Sequence, residues 1–256
     1  MNVTFVGAGR LATQFALALS ERGNTIDAVY SRTMASAEQL TQLVGGMPTD
    51  RVEALPLYSD VYILAVKDTV LPALIPQVAK GREGRPMYHT SGSIPMSVFT
   101  GLTHYGVIYP LQTFSKERRV DLARVPLFIE ANNDLALHVA RLTAEKVSND
   151  VRELDSDRRR QLHLAAVFAC NFANHCYALA AQVLAQRGLP FDALLPLIDE
   201  TAAKVHDMAP ADAQTGPAVR YDTNVIRAHL DMLADQRQLY DVYELMSKSI
   251  HETMKQ

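Results

Sequence analysis

The chain has 256 residues, of which 48% are hydrophobic and 21% are charged, as in an ordinary globular protein. The formal net charge is −3 and the one basic run, Arg158–Arg160, is flanked by Asp155 and Asp157, so we expect a solvated helix start there and no binding to nucleic acid. No apolar run reaches the length of a membrane span, and Met1 leads directly into the first predicted strand, so we expect neither a membrane anchor nor a signal peptide.

The N-terminus combines a predicted strand, a glycine-rich turn and a helix. Residues 1–6 form the apolar strand, residues 13–20 form the helix, and between them lies the G-x-G-x-x-A pattern of a dinucleotide-binding turn. In that pattern Gly7 permits the turn, Gly9 lets the backbone approach a pyrophosphate, and Ala12 lets helix and strand pack closely. The predicted cofactor residues of this turn are Gly7, Ala8, Gly9, Arg10 and Leu11. A tight turn without a ligand is the alternative interpretation.

The end of the second predicted strand, residues 25–31, indicates which dinucleotide binds. An NAD-binding chain usually places Asp or Glu there, about 20 residues past the glycines. This chain has Ser31-Arg32-Thr33 instead, and Asp27 lies too early in the strand for that role. A guanidinium pairs with a 2′-phosphate in a forked geometry, so we predict NADP(H). The alternative is that Arg32 is a solvated loop arginine.

Strands and helices then alternate up to about residue 155. A helix is predicted over 34–44, followed by a short strand at 47–49 and the clearest strand, 60–66; Asp68 or Thr69 would cap the helix that continues to Ala79, with Pro72 in its first turn. Further strands are predicted at 86–90, 107–109, 127–130 and 151–154, with a helix at 134–147. This order predicts an α/β fold with a doubly wound parallel sheet, the Rossmann NADP-binding domain. The ends of two strands add predicted cofactor residues, namely Ala65, Val66, Lys67, Thr90 and Ser91.

The remaining chain is predicted to be all-α. Helices are expected over 158–187, 191–206, 223–233 and 236–254, which divides the chain into a dinucleotide-binding domain, 1–155, and a helical substrate and dimerisation domain, 156–256. The first of these helices is apolar over more than one stripe, which predicts a homodimer formed through the C-terminal helices.

Cysteine and histidine spacing limits other chemistry. Cys170 and Cys176 are six apart in a helical stretch and lie on different faces, so we predict free thiols and a cytoplasmic protein. Histidines at 104, 138, 175, 206 and 251 lack metal-ligand spacing, so no metal site is predicted.

Several segments resemble a known family. The turn at 7–12, Leu64-Ala65-Val66-Lys67 and the helical second domain are similar to the superfamily of pyrroline-5-carboxylate reductase, ketopantoate reductase, 3-hydroxyisobutyrate dehydrogenase and F420-dependent NADP reductase. Four further segments resemble a bacterial Rossmann-like family with a DUF2520 C-terminal domain: His89-Thr90-Ser91-Gly92, Tyr109-Pro110-Leu111-Gln112-Thr113-Phe114, residues 163–168 with Asn171, and residues 215–230. The resemblance implies the fold and an NADP-linked oxidoreductase without an assigned substrate.

One feature of the dehydrogenase relatives is missing. They carry a catalytic lysine four residues before an asparagine on the helix that opens the second domain, and counting back from Asn171 gives Val167. This departure argues against hydroxyacid chemistry of that type. The motif of pyrroline-5-carboxylate reductase is absent as well.

Polar residues near the carboxyl ends of the strands are the candidates for chemistry. Hydride transfer needs a proton donor, and we predict His163 or His89, with Asn171 orienting the substrate and Asn174 on the same helix face. Each has a structural alternative, since His89 can bond a neighbouring loop and the asparagines can satisfy buried backbone groups. The residues Arg220, Asp222 and His229 would bind an anionic substrate or form a structural network, and the second reading is favoured.

The predicted function is therefore an NADP(H)-dependent oxidoreductase acting on a small carbonyl or imine. Two alternatives are a non-catalytic NADP-binding sensor or interaction module, and, by resemblance, hydride exchange with a deazaflavin as in an F420-linked NADP reductase. The expected partners are a small-molecule substrate and a second copy of the chain.

Overall fold

A computed structural model describes residues 1–255 and divides the chain into two compact units, residues 1–171 and the residues from Phe172 onward. Residue 155, the predicted domain boundary, falls at the start of the long helix. The first compact unit continues beyond it and includes the N-terminal part of that helix.

The first unit is built on one eight-stranded sheet. Its strands are β1 (Asn2–Val6), β2 (Thr25–Tyr30), β3 (Met47–Thr49), β4 (Val61–Leu64), β5 (Met87–His89), β6 (Tyr105–Pro110), β7 (Leu127–Ala131) and β8 (Val151–Glu153). They lie in the order β3-β2-β1-β4-β5-β6-β7-β8, and every neighbouring pair is parallel except β6 and β7. The predicted α/β sheet is thus confirmed, with one antiparallel pair that was not predicted. No α-helix connects β6 to β7, and a parallel return needs such a crossover.

Helices cover both faces of this sheet, which makes it doubly wound. They are α1 (Arg10–Glu21), α2 (Met34–Val44), α3 (Leu71–Ala79), α4 (Asp134–Glu145) and α5 (Ser156–Ala166). Alternate strand residues enter separate cores: Phe5 and Ile63 pack with α1 and α4, whereas Val6 and Leu64 pack with α3. Strands buried on both faces explain the continuous apolar runs in the sequence.

The start of α3 differs from its prediction. Pro72 lies in the first turn as expected, but Val70 precedes the helix and no side chain caps it. Residues 67–70 instead form a turn, in which the Val70 N–H donates to the Lys67 carbonyl oxygen at 2.9 Å. Neither Asp68 nor Thr69 is therefore the N-cap.

The long predicted helix is continuous from Ser156 to Ala185 but contains one wider turn. Between α5 and α6 (Ala173–Ala185), the residues Val167–Phe172 form a π-helical turn. By length and composition alone this helix could cross a membrane, with a mean hydropathy of 1.3 and only 6% of the window buried within the chain. Asn171 and Asn174 interrupt the apolar residues of this helix, so it contains no unbroken apolar run of membrane-spanning length although its mean hydropathy is high.

The described residues of the second unit contain helices and turns but no strand, in agreement with the predicted all-α region. It contains α6, α7 (Leu195–Asp207), α8 (Thr223–Met232) and α9 (Arg237–Thr253), with a short 3-10 turn, Phe191–Leu194, where the predicted second helix begins. Its small core consists of Leu179, Leu233 and Leu239.

Candidate active site

The turn between β1 and α1 has the backbone geometry of a phosphate site. Gly7 has a φ of +119°, and a Cβ atom there would lie 2.3 Å from the carbonyl oxygen of Ala65, so only glycine is tolerated. At Gly9, which precedes the first helical residue Arg10, an added Cβ would meet no atom within 4 Å. The first backbone N–H groups of α1 therefore have room beside them for an anion. These features fit a dinucleotide pyrophosphate at Gly7, Ala8, Gly9, Arg10 and Leu11.

The end of β2 presents a free cation. Arg32 is exposed, and within residues 1–255 its guanidinium has no hydrogen bond or ion pair. Thr33 beside it donates from Oγ1 to the Ser36 Oγ at 2.9 Å, while Ser31 is half-buried. The Asp27 carboxylate is already engaged, because it accepts a 2.6 Å hydrogen bond from Ser59. An unpaired guanidinium at this position suits a 2′-phosphate.

The ends of β4 and β5 lie on the same sheet edge as this turn, since β1, β4 and β5 are parallel. Ala65 and Val66 are half-buried and Lys67 is exposed. Thr90 is buried, and the Ser91 hydroxyl accepts 3.1 Å bonds from the backbone N–H groups of Ser93 and Ile94. The predicted cofactor residues of the first unit are thus brought to one edge.

His89 lies beneath that edge. Its side chain is wholly buried and stacks on Phe99, with ring centroids 5.7 Å apart. Nδ1 accepts a 3.1 Å bond from the Ser91 N–H, and Nε2 has no partner among the described residues. Burial, and secondarily the Arg159 guanidinium, lowers the pKa of His89 to about 3. A neutral, inaccessible imidazole is poorly suited to the predicted role of proton donor.

His163 has a different environment. Its Nδ1 lies 2.9 Å from the Tyr109 hydroxyl oxygen, and both side chains line one cavity. Burial raises the pKa of Tyr109 to about 12, so this phenol remains protonated at neutral pH. Gly92 closes the other side of the ring, because a Cβ atom there would lie 2.6 Å from Cγ and Nδ1 of His163. Three separate segments therefore fix one imidazole.

The cavity beside this pair has a volume of about 410 Å³. The described side chains that line it include no Asp, Glu, Lys or Arg, and most are apolar or small. They are Tyr109, Leu111, Gln112, Thr113, Leu162, His163, Ala165, Ala166, Ala169, Cys170 and Asn171. Asn171 shares this cavity with His163. Asn174 belongs to the second unit, where it lines a different depression with Tyr177 and Phe191.

A buried ion pair lies one helical turn before His163. Arg159 is wholly buried and pairs with Glu130 of β7, and it also donates to the Ile94 carbonyl oxygen at 2.7 Å. The Ser156 hydroxyl donates to Glu130 at 2.7 Å and accepts from the Met96 N–H at 3.0 Å. The predicted solvated helix start is therefore wrong for Arg159, although its two arginine neighbours are exposed. This network joins β7, α5 and the loop after β5.

Two of the three polar candidates in the second unit, Asp222 and His229, have partners within that unit. Asp222 caps α8 by accepting from the Val225 N–H at 3.3 Å, and His229 lies 2.8 Å from the Tyr243 hydroxyl. Arg220 is exposed. Residues 1–255 contain no group of three or more His, Cys, Asp or Glu side chains arranged to hold a metal ion.

The sequence places Tyr109, within Tyr109-Pro110-Leu111-Gln112, at the carboxyl end of a strand but assigns it no role, and it does not identify the buried pair of Arg159 and Glu130. Nothing in three consecutive arginines distinguishes the one that is buried.

Comparisons with known proteins agree with this architecture. The Rossmann-like family profile matches residues 1–114, and the profile of the domain of unknown function DUF2520 matches residues 125–250. A Bacteroides fragilis protein, provisionally named an NADP oxidoreductase, is 50% identical, with 98% of each chain covered and a TM-score of 0.95. The chain belongs to this Rossmann-like DUF2520 family. The resemblance drawn from its sequence is confirmed.

More distant structures share the fold of this DUF2520 protein. A Thermotoga maritima protein is 22% identical with a TM-score of 0.78, covering 99% of this chain and 100% of its own. An imine reductase from Myxococcus stipitatus, in complex with NADP+, is 18% identical with a TM-score of 0.72, covering 100% and 94%. No curated protein sequence matches the chain. The named relatives support an oxidoreductase that uses a nicotinamide dinucleotide.

Proposed function

We propose that this DUF2520-family protein is an NADP(H)-dependent oxidoreductase that reduces a small, uncharged carbonyl or imine, with His163 as proton donor. The observation that carries the proposal is the Tyr109–His163 hydrogen bond in the wall of the 410 Å³ cavity. This cavity adjoins the end of β6, which is parallel to β5 and so ends at the same sheet edge as the phosphate-binding turn.

The cofactor residues follow from that edge. Gly7, Gly9 and the first N–H groups of α1 would hold the pyrophosphate, and Arg32 would pair with the 2′-phosphate. When bound, NADPH supplies the hydride. The chain's own task is then to orient the acceptor carbon and to protonate the heteroatom.

Tyr109 and His163 divide the second task. In the protonated imidazole, Nδ1–H donates to the Tyr109 oxygen, which fixes the ring and leaves Nε2–H available to the substrate. Nε2 gives its proton to the oxygen or nitrogen on which negative charge develops, and His163 ends neutral with its Nδ1 contact retained. Asn171, in the same cavity, would orient the substrate through its amide.

The cavity lining supports an uncharged substrate. Apart from the proton donor His163, the described lining residues offer a carboxylate no arginine or lysine to pair with. Side chains such as Leu111, Leu162 and Ala169 instead suit a compact apolar body. This lining disfavours hydroxyacids, in agreement with Val167 standing where relatives carry the catalytic lysine.

Calorimetric titration with NADPH and NADH tests the cofactor. We expect tighter binding of NADPH, and Arg32→Ala should weaken NADPH binding about 10- to 100-fold while leaving NADH nearly unchanged, because it removes a charged hydrogen bond to the phosphate. Arg124→Ala, an exposed arginine elsewhere, is the control. If neither nucleotide binds the wild type, the proposal fails.

Oxidation of NADPH followed with a matched pair of imines tests the reaction. We expect turnover of 1-pyrroline and much weaker turnover of 1-pyrroline-2-carboxylate, which differs by one carboxylate. His163→Ala should lower kcat about 10²- to 10⁴-fold with NADPH affinity intact, and the exposed His138→Ala should not. NADPH binding without turnover across a broader panel of neutral imines and ketones would favour the non-catalytic module.

We also propose a homodimer formed through the helical region. Leu164, Tyr177 and Val183 of the long helix are exposed, and the exposed polar side chain of Asn174 on the same helix favours a protein surface over lipid as its cover. Sedimentation equilibrium without detergent should give twice the chain mass. A monomer that partitions into vesicles would contradict both parts of this proposal.

A further inference from the structure

One buried side chain fastens a loop of the first unit to α1. Gln14 is 4% exposed, and its Nε2 donates to the carbonyl oxygens of Ser115 and Arg118 at 3.0 and 3.2 Å. Its Oε1 accepts from the Val120 N–H at 3.2 Å. The Gln14 amide thus uses both N–H donors and one oxygen lone pair in hydrogen bonds to one stretch of backbone.

That stretch belongs to the loop of residues 111–121, which forms part of the cavity wall. The loop begins at the end of β6, where Leu111, Gln112 and Thr113 line the cavity beside His163. The Leu111 N–H donates to the Pro126 carbonyl oxygen at 3.0 Å and closes the base of the loop. Beyond Thr113, the backbone contacts of Gln14 hold the returning half.

The helix that carries Gln14 also carries the phosphate-binding turn. Gln14 follows Arg10 by four residues, which is about 6 Å along the helix axis. Hydrogen bonds to Gln14 therefore fix the position of the loop relative to the helix whose N-terminus would bind the cofactor.

The other contacts between the loop and α1 restrain the loop less than the hydrogen bonds of Gln14. Arg119 pairs with Glu21, but these side chains are 63% and 48% exposed, and exposed ion pairs contribute little. Phe114 and Val120 pack against the core and are only partly buried. The three hydrogen bonds of the buried Gln14 side chain, by contrast, are directional and shielded from water.

We propose that Gln14 is a positioning residue that fastens the 111–121 loop to the cofactor-binding helix and thereby holds Gln112 and Thr113 in the substrate-cavity wall. The effect of this role on catalysis rests on the proposed function. The restraint of the loop by Gln14 does not depend on the proposed function. Gln14→Leu keeps a similar volume, removes all three hydrogen bonds and leaves the apolar contacts of α1.

Hydrogen–deuterium exchange tests the restraint in the full chain. Backbone amides of residues 111–121 should exchange at least tenfold faster in Gln14→Leu than in wild type, while β1 and β4 stay protected. Gln39→Leu, an exposed glutamine on α2, should behave as wild type. Unchanged exchange in the loop, or equal acceleration throughout the unit, would overturn the proposal.

Kinetics separate positioning from mere stability. With 1-pyrroline as probe, Gln14→Leu should raise KM about five- to tenfold with kcat within twofold, and calorimetry should show unchanged NADPH affinity. Equal losses in kcat and NADPH affinity would contradict a role confined to the cavity wall. If the wild type binds NADPH but reduces no neutral imine, the proposed reaction fails, and the exchange comparison still decides the role of Gln14.

Discussion

A single methyl group added at Gly92 should separate Tyr109 from His163. The new Cβ atom would lie 2.6 Å from Cγ and Nδ1 of His163 and 2.9 Å from its Cβ. Ordinary carbon contacts begin near 3.4 Å, so the ring must move by about 0.8 Å or the loop must retreat by the same amount. The 2.9 Å hydrogen bond to Tyr109 does not survive such a shift without rearrangement. Misplacing a reacting group by about 1 Å costs on the order of 10² in rate.

We therefore expect Gly92→Ala to lower kcat for the neutral imine about 100-fold and to leave the NADPH dissociation constant within twofold. The overpacked site should also lower the free energy of unfolding by about 1–3 kcal/mol. Steady-state NADPH oxidation, calorimetry and urea unfolding measure the three quantities.

Gly84→Ala is the matched control, because its added Cβ meets no atom within 4 Å and its φ is not in the left-handed region. A double variant, Gly92→Ala with His163→Ala, should be no slower than His163→Ala alone, since both changes remove the same contact. The reasoning is refuted if Gly92→Ala retains wild-type kcat, or if the double variant loses activity additively.

Two further predictions concern buried charge. The folded-state pKa of His89 lies near 3, well below its unfolded value of about 6.5, so the unfolded chain binds more protons between these values and the free energy of unfolding falls as the pH falls. Between pH 7 and pH 5 this histidine lowers the free energy of unfolding by about 2 kcal/mol. Urea unfolding of His89→Gln at several pH values should lack this contribution to the pH dependence. Equal slopes for the two proteins would contradict the burial of a neutral imidazole. Arg159→Met leaves Glu130 in the interior without its cation and should lower the free energy of unfolding by about 3–5 kcal/mol, whereas the exposed Arg160→Met should stay within about 0.5 kcal/mol. Restoring part of the loss by adding Glu130→Met would confirm the pairing, and a mild effect of Arg159→Met alone would argue against it.

The sheet could be predicted because its determinants are local. Continuous apolar strands, the glycine turn and the alternation with helices each indicate the same fold, and β1, β4 and α1 lie where these patterns place them. The antiparallel direction of β7 was not predicted, because the direction of a strand depends on the connection that precedes it. Residues 111–126 contain no helix that could serve as a parallel crossover, and no short sequence pattern marks that absence.

The candidate site could be predicted only in part. Spacing along one helix predicted a common face for His163, Asn171 and Asn174, but the cavity that His163 lines includes Asn171 and not Asn174. The partner of His163 is Tyr109, 54 residues away, and no sequence pattern links the two. Whether a histidine is buried or accessible is likewise a tertiary property, so the sequence favoured His163 over His89 only by its place near the domain junction and could not show that His89 is buried.

The missing lysine can be understood from the same helix. Val167 occupies the position where related dehydrogenases carry their catalytic lysine, and it begins the π turn that ends at Phe172. His163 stands four residues earlier, one helical turn towards Arg159, where Tyr109 and Gly92 fix its ring. A π turn widens the helix and changes the phase of the residues that follow it, so Asn171 does not bear the same angular relation to position 167 as in an unbroken α-helix. The proposed proton donor would therefore stand one turn before the expected lysine, in a cavity whose described lining contains no arginine or lysine.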